Sequence, residues 1–281
     1  MAQIIDGKAA AGRIRDLVKD DVDKFRSVTH RTVGLATVLV GDDPASEVYV
    51  TSKRRLSRQA GIEDHHRRLS ADAGQDEVAA VIDELAEDDA VSGILLQLPL
   101  PKHLDSKALI DRIPWQKDVD GLTTTSAGLL ARNAPGLRPC TPLGILALLR
   151  AEGIDLSGVS AVVVGRSELV GKPLAQLLLQ QNATVTVTHS RTRDLATVTR
   201  TADIVIAAAG IPHLIGAEHV KAGAIVIDVG IHRSANGLIG DVDFEAVSPI
   251  TSRITPVPGG VGPMTIAELL RNTIQAAKIQ T

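Results

Sequence analysis

Short apolar runs alternate with stretches of helical periodicity along the chain, and no other feature restricts its fold as much. Residues 32–40, 62–69 and 93–98 read as strands in the first half; residues 159–164, 184–188, 204–208 and 224–229 do so in the second. The helical stretches between them begin with residues 7–25, where Ile14, Leu17, Val18 and Val22 form one stripe. A second helix is entered through Asp43-Pro44, a capping acid followed by proline, and runs to Ala60 before Gly61. Residues 75–87, 142–152, 173–180 and 195–200 read as further helices. The run 32–40 barely alternates, as expected of a strand covered on both faces. Strands that alternate with helices predict parallel sheets with helices packed on them, an α/β fold.

The chain of 281 residues is long enough for two modest domains, each with its own core. The rhythm fails between residues 114 and 138, which read as loop around one short helix. That break suggests an N-terminal α/β domain at 1–140 and a Rossmann-type domain at 141–264. A final helix, 265–281, carries Ile266, Leu269, Leu270, Ile274 and Ala277 on one stripe and is long enough to return to the first domain.

Composition removes several classes of function. Cys140 stands alone, so neither an intrachain disulfide nor a thiolate metal cluster is expected, and the His residues show no metal-ligand spacing. The 30 basic and 33 acidic residues are interspersed and give a net charge of −3, which argues against a general nucleic-acid binder. Phe25, Tyr49, Trp115 and Phe244 are too few for base stacking. The opening residues lack the apolar core of a signal peptide and no run suits a membrane span, so a cytoplasmic protein without a membrane partner is expected.

The clearest local site is VVVGRSELVGKP, residues 162–173, a buried strand turning through glycine into a helix. A helix N-terminus offers backbone donors and a favourable dipole to a phosphate, and Gly165 and Gly171 permit close approach. The glycine spacing is not the usual dinucleotide fingerprint, so a purely structural turn competes with a cofactor site. Arg166 favours the cofactor. After the next strand, where an NAD site usually places an acid, the chain has His189-Ser190-Arg191-Thr192 and no acid before Asp194. Arg166, Ser167, Ser190 and Arg191 suit an added 2′-phosphate, hence NADP over NAD. Arg191 alone reads equally as a solvated charge.

Ser46, Tyr49 and Lys53 share one helix face at spacings of three and four. Tyr49 suits stacking on a flat ligand and Lys53 suits proton transfer, although packing and a solvated basic face with Arg54, Arg55 and Arg58 compete. Gln97 ends a buried strand and needs a hydrogen-bond partner, either nearby backbone or Lys53. Asp118 and Asp120 suit turn capping or binding of ring N–H groups. Cys140, in the turn Pro139-Cys140-Thr141-Pro142, reads as packing.

Taken in order, these segments resemble the bifunctional methylenetetrahydrofolate dehydrogenase/methenyltetrahydrofolate cyclohydrolase family. The resemblance rests on Val40-Gly41 leading to Ser46, Tyr49 and Lys53; Gln97-Leu98-Pro99-Leu100-Pro101; Lys117-Asp118-Val119-Asp120-Gly121; and Pro139-Cys140-Thr141-Pro142. It continues through Val164-Gly165-Arg166-Ser167, Val170-Gly171-Lys172-Pro173 and the stretch from Pro256 to Thr265. It implies a folate-binding catalytic domain followed by an NADP-binding one, and hydride transfer from 5,10-methylenetetrahydrofolate to NADP. Hydrolysis of the methenyl product to 10-formyltetrahydrofolate follows in the same cleft. It further implies a homodimer, and a place in one-carbon metabolism with links to purine, methionine and histidine biosynthesis. Lys53 matches the family's catalytic lysine and Gln97 its partner. Tyr49 would stack on the folate and Asp120 bind its pterin, with Ser46, Pro258, Gly259 and Gly262 shaping the substrate side. Gly165, Arg166, Ser167, Gly171, Ser190, Arg191, Ala209, Gly210, Gly230, Ile231 and Thr265 would contact the cofactor. Ser126 stands where the family commonly has Asn; its side chain can still hydrogen-bond but is shorter and presents no amide.

Overall fold

The computed structural model describes residues 2–235 and 237–281, in two compact units. The first holds Arg13–Cys140 with Ile266–Thr281; the second holds the opening segment through Gly12 with Thr141–Thr265. In chain order the elements of the first half are β1 (Gln3–Ile4), α1 (Gly7–Thr29), β2 (Gly34–Val40), α2 (Pro44–Gln59), β3 (Glu63–Leu69), α3 (Gln75–Glu87), β4 (Gly93–Leu96), α4 (Ser106–Ile110) and α5 (Thr124–Ala131). There follow α6 (Cys140–Ala151), β5 (Ser160–Val164), α7 (Gly171–Leu179), β6 (Thr184–Thr188), α8 (Leu195–Thr199), β7 (Ile204–Ala207) and β8 (Ile225–Asp228). The last are β9 (His232–Ser234), β10 (Gly237–Ile239), α9 (Phe244–Val247), β11 (Arg253–Ile254) and α10 (Val261–Ile279).

The first unit is built on a parallel sheet of order β3-β2-β4, in register Thr37↔His66 and Thr37↔Leu95. Its central strand is buried throughout. Ala36, Val38 and Val40 join Val78, Ile82 and Leu85 of α3, while Leu35 and Leu95 join Val18, Val22 and Phe25 of α1 and Leu269, Leu270 and Ile274 of α10. Two cores on opposite faces explain why β2 reads as one continuous apolar run. Helix α2 starts where the sequence places it: the Asp43 carboxylate accepts the Ser46 N–H at 2.8 Å and Pro44 opens the first turn.

The second unit carries a six-stranded parallel sheet of order β1-β11-β8-β7-β5-β6. The order reverses at β5, which has β6 on one side and β7 on the other. Open sheets of this kind bind ligands beyond the carboxyl ends of the strands at such a switch point.

Three features depart from the sequence reading. Residues 1–140 do not form one domain, because Gln3 and Ile4 pair with Arg253 and Ile254 in the second sheet; a strand of two residues shows no alternation by which to place it. Helix α10 starts at Val261, not Thr265, taking Pro263 into a first turn whose N–H groups lack helical partners anyway. The antiparallel hairpin β9–β10 was not expected, since its side chains are largely exposed and carry no apolar pattern. Among the described residues no helix is long and apolar enough to cross a membrane.

Candidate active site

In the first unit α2 places Ser46, Tyr49 and Lys53 on one face, with Ser46 buried, Tyr49 exposed and Lys53 only 8% accessible. The Lys53 Nζ donates to Gln97 Oε1 at 3.0 Å, across from the end of β4. Gln97 Nε2 donates to the carbonyl of Leu98, so both ends of the amide are committed and its oxygen is fixed toward the lysine. Burial lowers the proton affinity of Lys53, while the nearby Asp120 charge opposes that fall. Burial likewise raises the Asp120 carboxyl, against the pull of the nearby Lys53 charge. An amine whose proton affinity burial lowers, beside an acid whose proton affinity burial raises, is a pair suited to exchanging a proton.

The loop that carries Asp120 is fixed from several sides. Lys117 is buried, its Nζ donating to the carbonyls of Ala86 and Asp88 at 2.8 Å each, which closes the end of α3. The Asp118 carboxylate accepts the N–H groups of Leu122 and Thr123, the turn-capping role. Cys140 donates to the carbonyl of Val119 at 3.2 Å, and burial pushes its thiol well above the usual range, so it is no ready nucleophile. Asn272 of α10, which the sequence reading passed over, donates to the carbonyls of Val119 and Arg138 at 2.8 Å. It thereby ties the Asp120 loop to the turn at Cys140. Ser126 is fully buried, its hydroxyl accepting from Thr123 Oγ1 at 3.1 Å in the first turn of α5. It therefore serves the helix entry. Pro258, Gly259 and Gly262 belong to the second unit and not to that of Lys53.

In the second unit the cofactor candidates gather at the carboxyl edge of the sheet. Gly165 follows β5 at φ +121°, and a Cβ there would lie 2.1 Å from the Ala208 carbonyl; one at Gly171 would lie 2.2 Å from that of Gly165. Only glycine permits this tight strand-to-helix turn. The N-cap of α7, Val170, brings no side-chain acceptor, but the Ser167 hydroxyl accepts from the N–H groups of Val170 and Gly171. Arg166, Ser190 and Arg191 are exposed. The turn after β6 is shaped by Thr192 Oγ1, which accepts from His189 N–H at 2.9 Å, and by His189 Nδ1, which accepts from Arg191 N–H at 3.1 Å. Asp194, the nearest acid, is committed as the cap of α8 through Thr197.

Ala209 and Gly210 follow β7, and Gly230 and Ile231 follow β8. Thr265 Oγ1 instead lies 2.9 Å from Thr141 Oγ1, at the join of α6 and α10. Two carboxylates the sequence reading missed stand behind the first two loops. Asp228 accepts from the N–H groups of Gly230, Asp241 and Val242 at 2.9–3.0 Å, and burial raises its carboxyl to about 6. Asp241, fully buried, accepts from Ala209 and Gly210. The available signals were an acid ending the buried run of β8, for Asp228, and GDVDFE, for Asp241, which reads equally well as a surface turn.

Comparisons with known proteins identify the family. The family model described as tetrahydrofolate dehydrogenase/cyclohydrolase, catalytic domain, matches residues 5–120, and that described as the NAD(P)-binding domain matches 139–281. The bifunctional protein FolD 2 of Frankia alni is 64% identical over 277 residues, 99% of this chain and 96% of its own. The crystal structure of the bifunctional FolD methylenetetrahydrofolate dehydrogenase/cyclohydrolase from Campylobacter jejuni matches with a TM-score of 0.97 at 46% identity, covering 100% of both chains. That of the Trypanosoma brucei enzyme, complexed with NADP cofactor and inhibitor, matches with a TM-score of 0.94 at 38% identity, over 99% of this chain and 98% of that one.

Proposed function

The chain belongs to the tetrahydrofolate dehydrogenase/cyclohydrolase family, and from that membership we propose how its residues carry out the two reactions. It oxidises 5,10-methylenetetrahydrofolate to the 5,10-methenyl cation, with NADP reduced to NADPH. It then adds water to that cation, releasing a proton and giving 10-formyltetrahydrofolate.

The observation that carries the mechanism is the buried Lys53 amine bonded to Gln97 and facing the charge of Asp120. Water attacking the methenyl carbon must lose a proton, and an amine with lowered proton affinity can accept it. Gln97 holds that amine in place through its fixed oxygen. Asp120 orients the pterin, Tyr49, the exposed member of the face it shares with Lys53, stacks on the folate, and Ser46 adds a supporting hydrogen bond on the substrate side. Pro258, Gly259 and Gly262 shape the loop on the substrate side.

NADP supplies the hydride acceptor when bound. The tight strand-to-helix turn at Gly165 and Gly171, which leaves no room for a Cβ, brings the N-terminus of α7 to the sheet edge, where its backbone N–H groups fit the pyrophosphate, and Arg166, Ser167, Ser190 and Arg191 fit the 2′-phosphate. Ala209, Gly210, Gly230, Ile231 and Thr265 complete the cofactor contacts. The related Trypanosoma brucei enzyme, crystallised with NADP, supports this choice. The homodimer, the cytoplasmic location and the supply of purine, methionine and histidine biosynthesis rest on the family resemblance.

Lys53→Ala tests the assignment. Hydrolysis of supplied methenyltetrahydrofolate should fall by about 10²–10⁴-fold, the usual contribution of a positioned acid or base, while NADP affinity stays within about twofold. Normal hydrolysis with weakened NADP binding would reject the role.

A further inference from the structure

We propose that His232 is a positioning residue for the dehydrogenase reaction, acting through Asp241 to fix the Ala209–Gly210 turn at the cofactor edge. The inference rests on the NADP reading of that edge. Asp241 is fully buried, and its Oδ2 accepts the N–H of Ala209 at 2.7 Å and that of Gly210 at 2.8 Å. Its Oδ1 lies 2.7 Å from His232 Nε2. A carboxylate can only accept, so the proton in that contact belongs to Nε2. Asp241 therefore takes three donors, two from the loop after β7 and one from the first residue of β9.

Asp241 is itself held at both ends. Its N–H donates to Asp228 Oδ1 at 2.9 Å, and its carbonyl accepts from Ile215 at 3.0 Å. Loop and carboxylate also meet too closely for any side chain between them: a Cβ at Gly230 would lie 2.3 Å from Asp241 Oδ1. The backbone of Asp241 is thus locked, while its carboxylate can still turn about the Cβ–Cγ bond. His232 Nε2 restrains that rotation. Three loops that follow β7, β8 and β10 thereby meet on one buried side chain, and the outermost restraint is a half-buried histidine. With the N–H groups of Ala209 and Gly210 turned toward Asp241, their orientation depends on that carboxylate staying in place. Hydride transfer is sensitive to placement, and an error near 1 Å can cost about 10²-fold.

His232→Ala and His232→Gln separate this role from simple structural support. A glutamine amide donor lies about as far along its side chain as Nε2 does in histidine, so His232→Gln keeps the bond and His232→Ala removes it. Two readouts are needed. In cofactor-free protein, amide hydrogen exchange at Ala209 and Gly210 should quicken about tenfold in His232→Ala and return near wild type in His232→Gln. In turnover, His232→Ala should lower dehydrogenase kcat about tenfold with KM for NADP changed less than about threefold, while hydrolysis of supplied methenyltetrahydrofolate stays unchanged. Unchanged exchange at those two amides, or an unchanged kcat, would overturn the proposal, as would a loss confined to KM. Failure of wild-type protein to bind or reduce NADP would instead fault the cofactor reading, and the exchange result would still decide whether His232 restrains the turn.

Discussion

Replacing Gln97 by Ala removes the oxygen that accepts from Lys53 at 3.0 Å, and the consequence can be worked out from the geometry. The lysine is almost fully buried, so water cannot readily replace the lost acceptor. A hydrogen bond to a charged group contributes about 1.5–3 kcal/mol, and it favours the protonated amine over the neutral one. At 1.36 kcal/mol per tenfold, the proton affinity of Lys53 falls by about ten- to hundredfold. The limb of the pH–rate profile due to the coupled Lys53 and Asp120 should therefore move to lower pH by about one to two pH units. Gln97→Glu places a negative charge at the same site and should move that limb the other way. The assay is the initial rate of methenyltetrahydrofolate hydrolysis against pH, corrected for the spontaneous reaction. Rates that fall in both variants without a displaced limb, or limbs displaced in the same direction, would refute the reasoning that Gln97 tunes the lysine.

Two further predictions concern the second unit. Arg166→Ala should weaken NADP by about ten- to hundredfold, the loss of one charge-assisted contact, and NAD much less; an equal loss for both in binding titrations would place Arg166 at the pyrophosphate. Asp228 is protonated more readily folded than unfolded, its carboxyl moving from 3.8 to about 6 through burial. Such an acid binds an extra proton in the folded state between those values, so stability falls as pH rises from about 4 to about 6. The change from this group is about 3 kcal/mol. The stability difference between wild type and Asp228→Asn, measured by denaturant unfolding, should slope across that window. A flat difference would contradict the burial argument.

What was legible in the sequence follows from where the determinants lie. The limits of α2 could be read because Asp43-Pro44 and Gly61 are local signals that act within a turn or two. The parallel α/β class could be read because β2, β4 and β7 are wholly buried, leaving continuous apolar runs. The two-residue β1 could not, since its identity as a strand comes from β11 near the other end of the chain. The same reasoning divides the sites. Ser46, Tyr49 and Lys53 share a helix face that spacing alone reveals, and Gln97 drew notice as a polar residue ending a buried strand. Asp241, Asp228 and Asn272 gave no such sign. Their partners are backbone groups of several distant loops, and a backbone carbonyl or N–H leaves no mark in the sequence.

A spectrally resolved time course with 5,10-methylenetetrahydrofolate and NADP, following NADPH and methenyltetrahydrofolate separately, tests the bifunctional assignment most directly. The account predicts NADPH formation together with methenyl loss faster than its spontaneous hydrolysis. Methenyl that accumulates and decays only at the uncatalysed rate, in folded protein, would contradict the role assigned to the Lys53–Gln97 pair, and absence of NADPH would contradict the dehydrogenase itself.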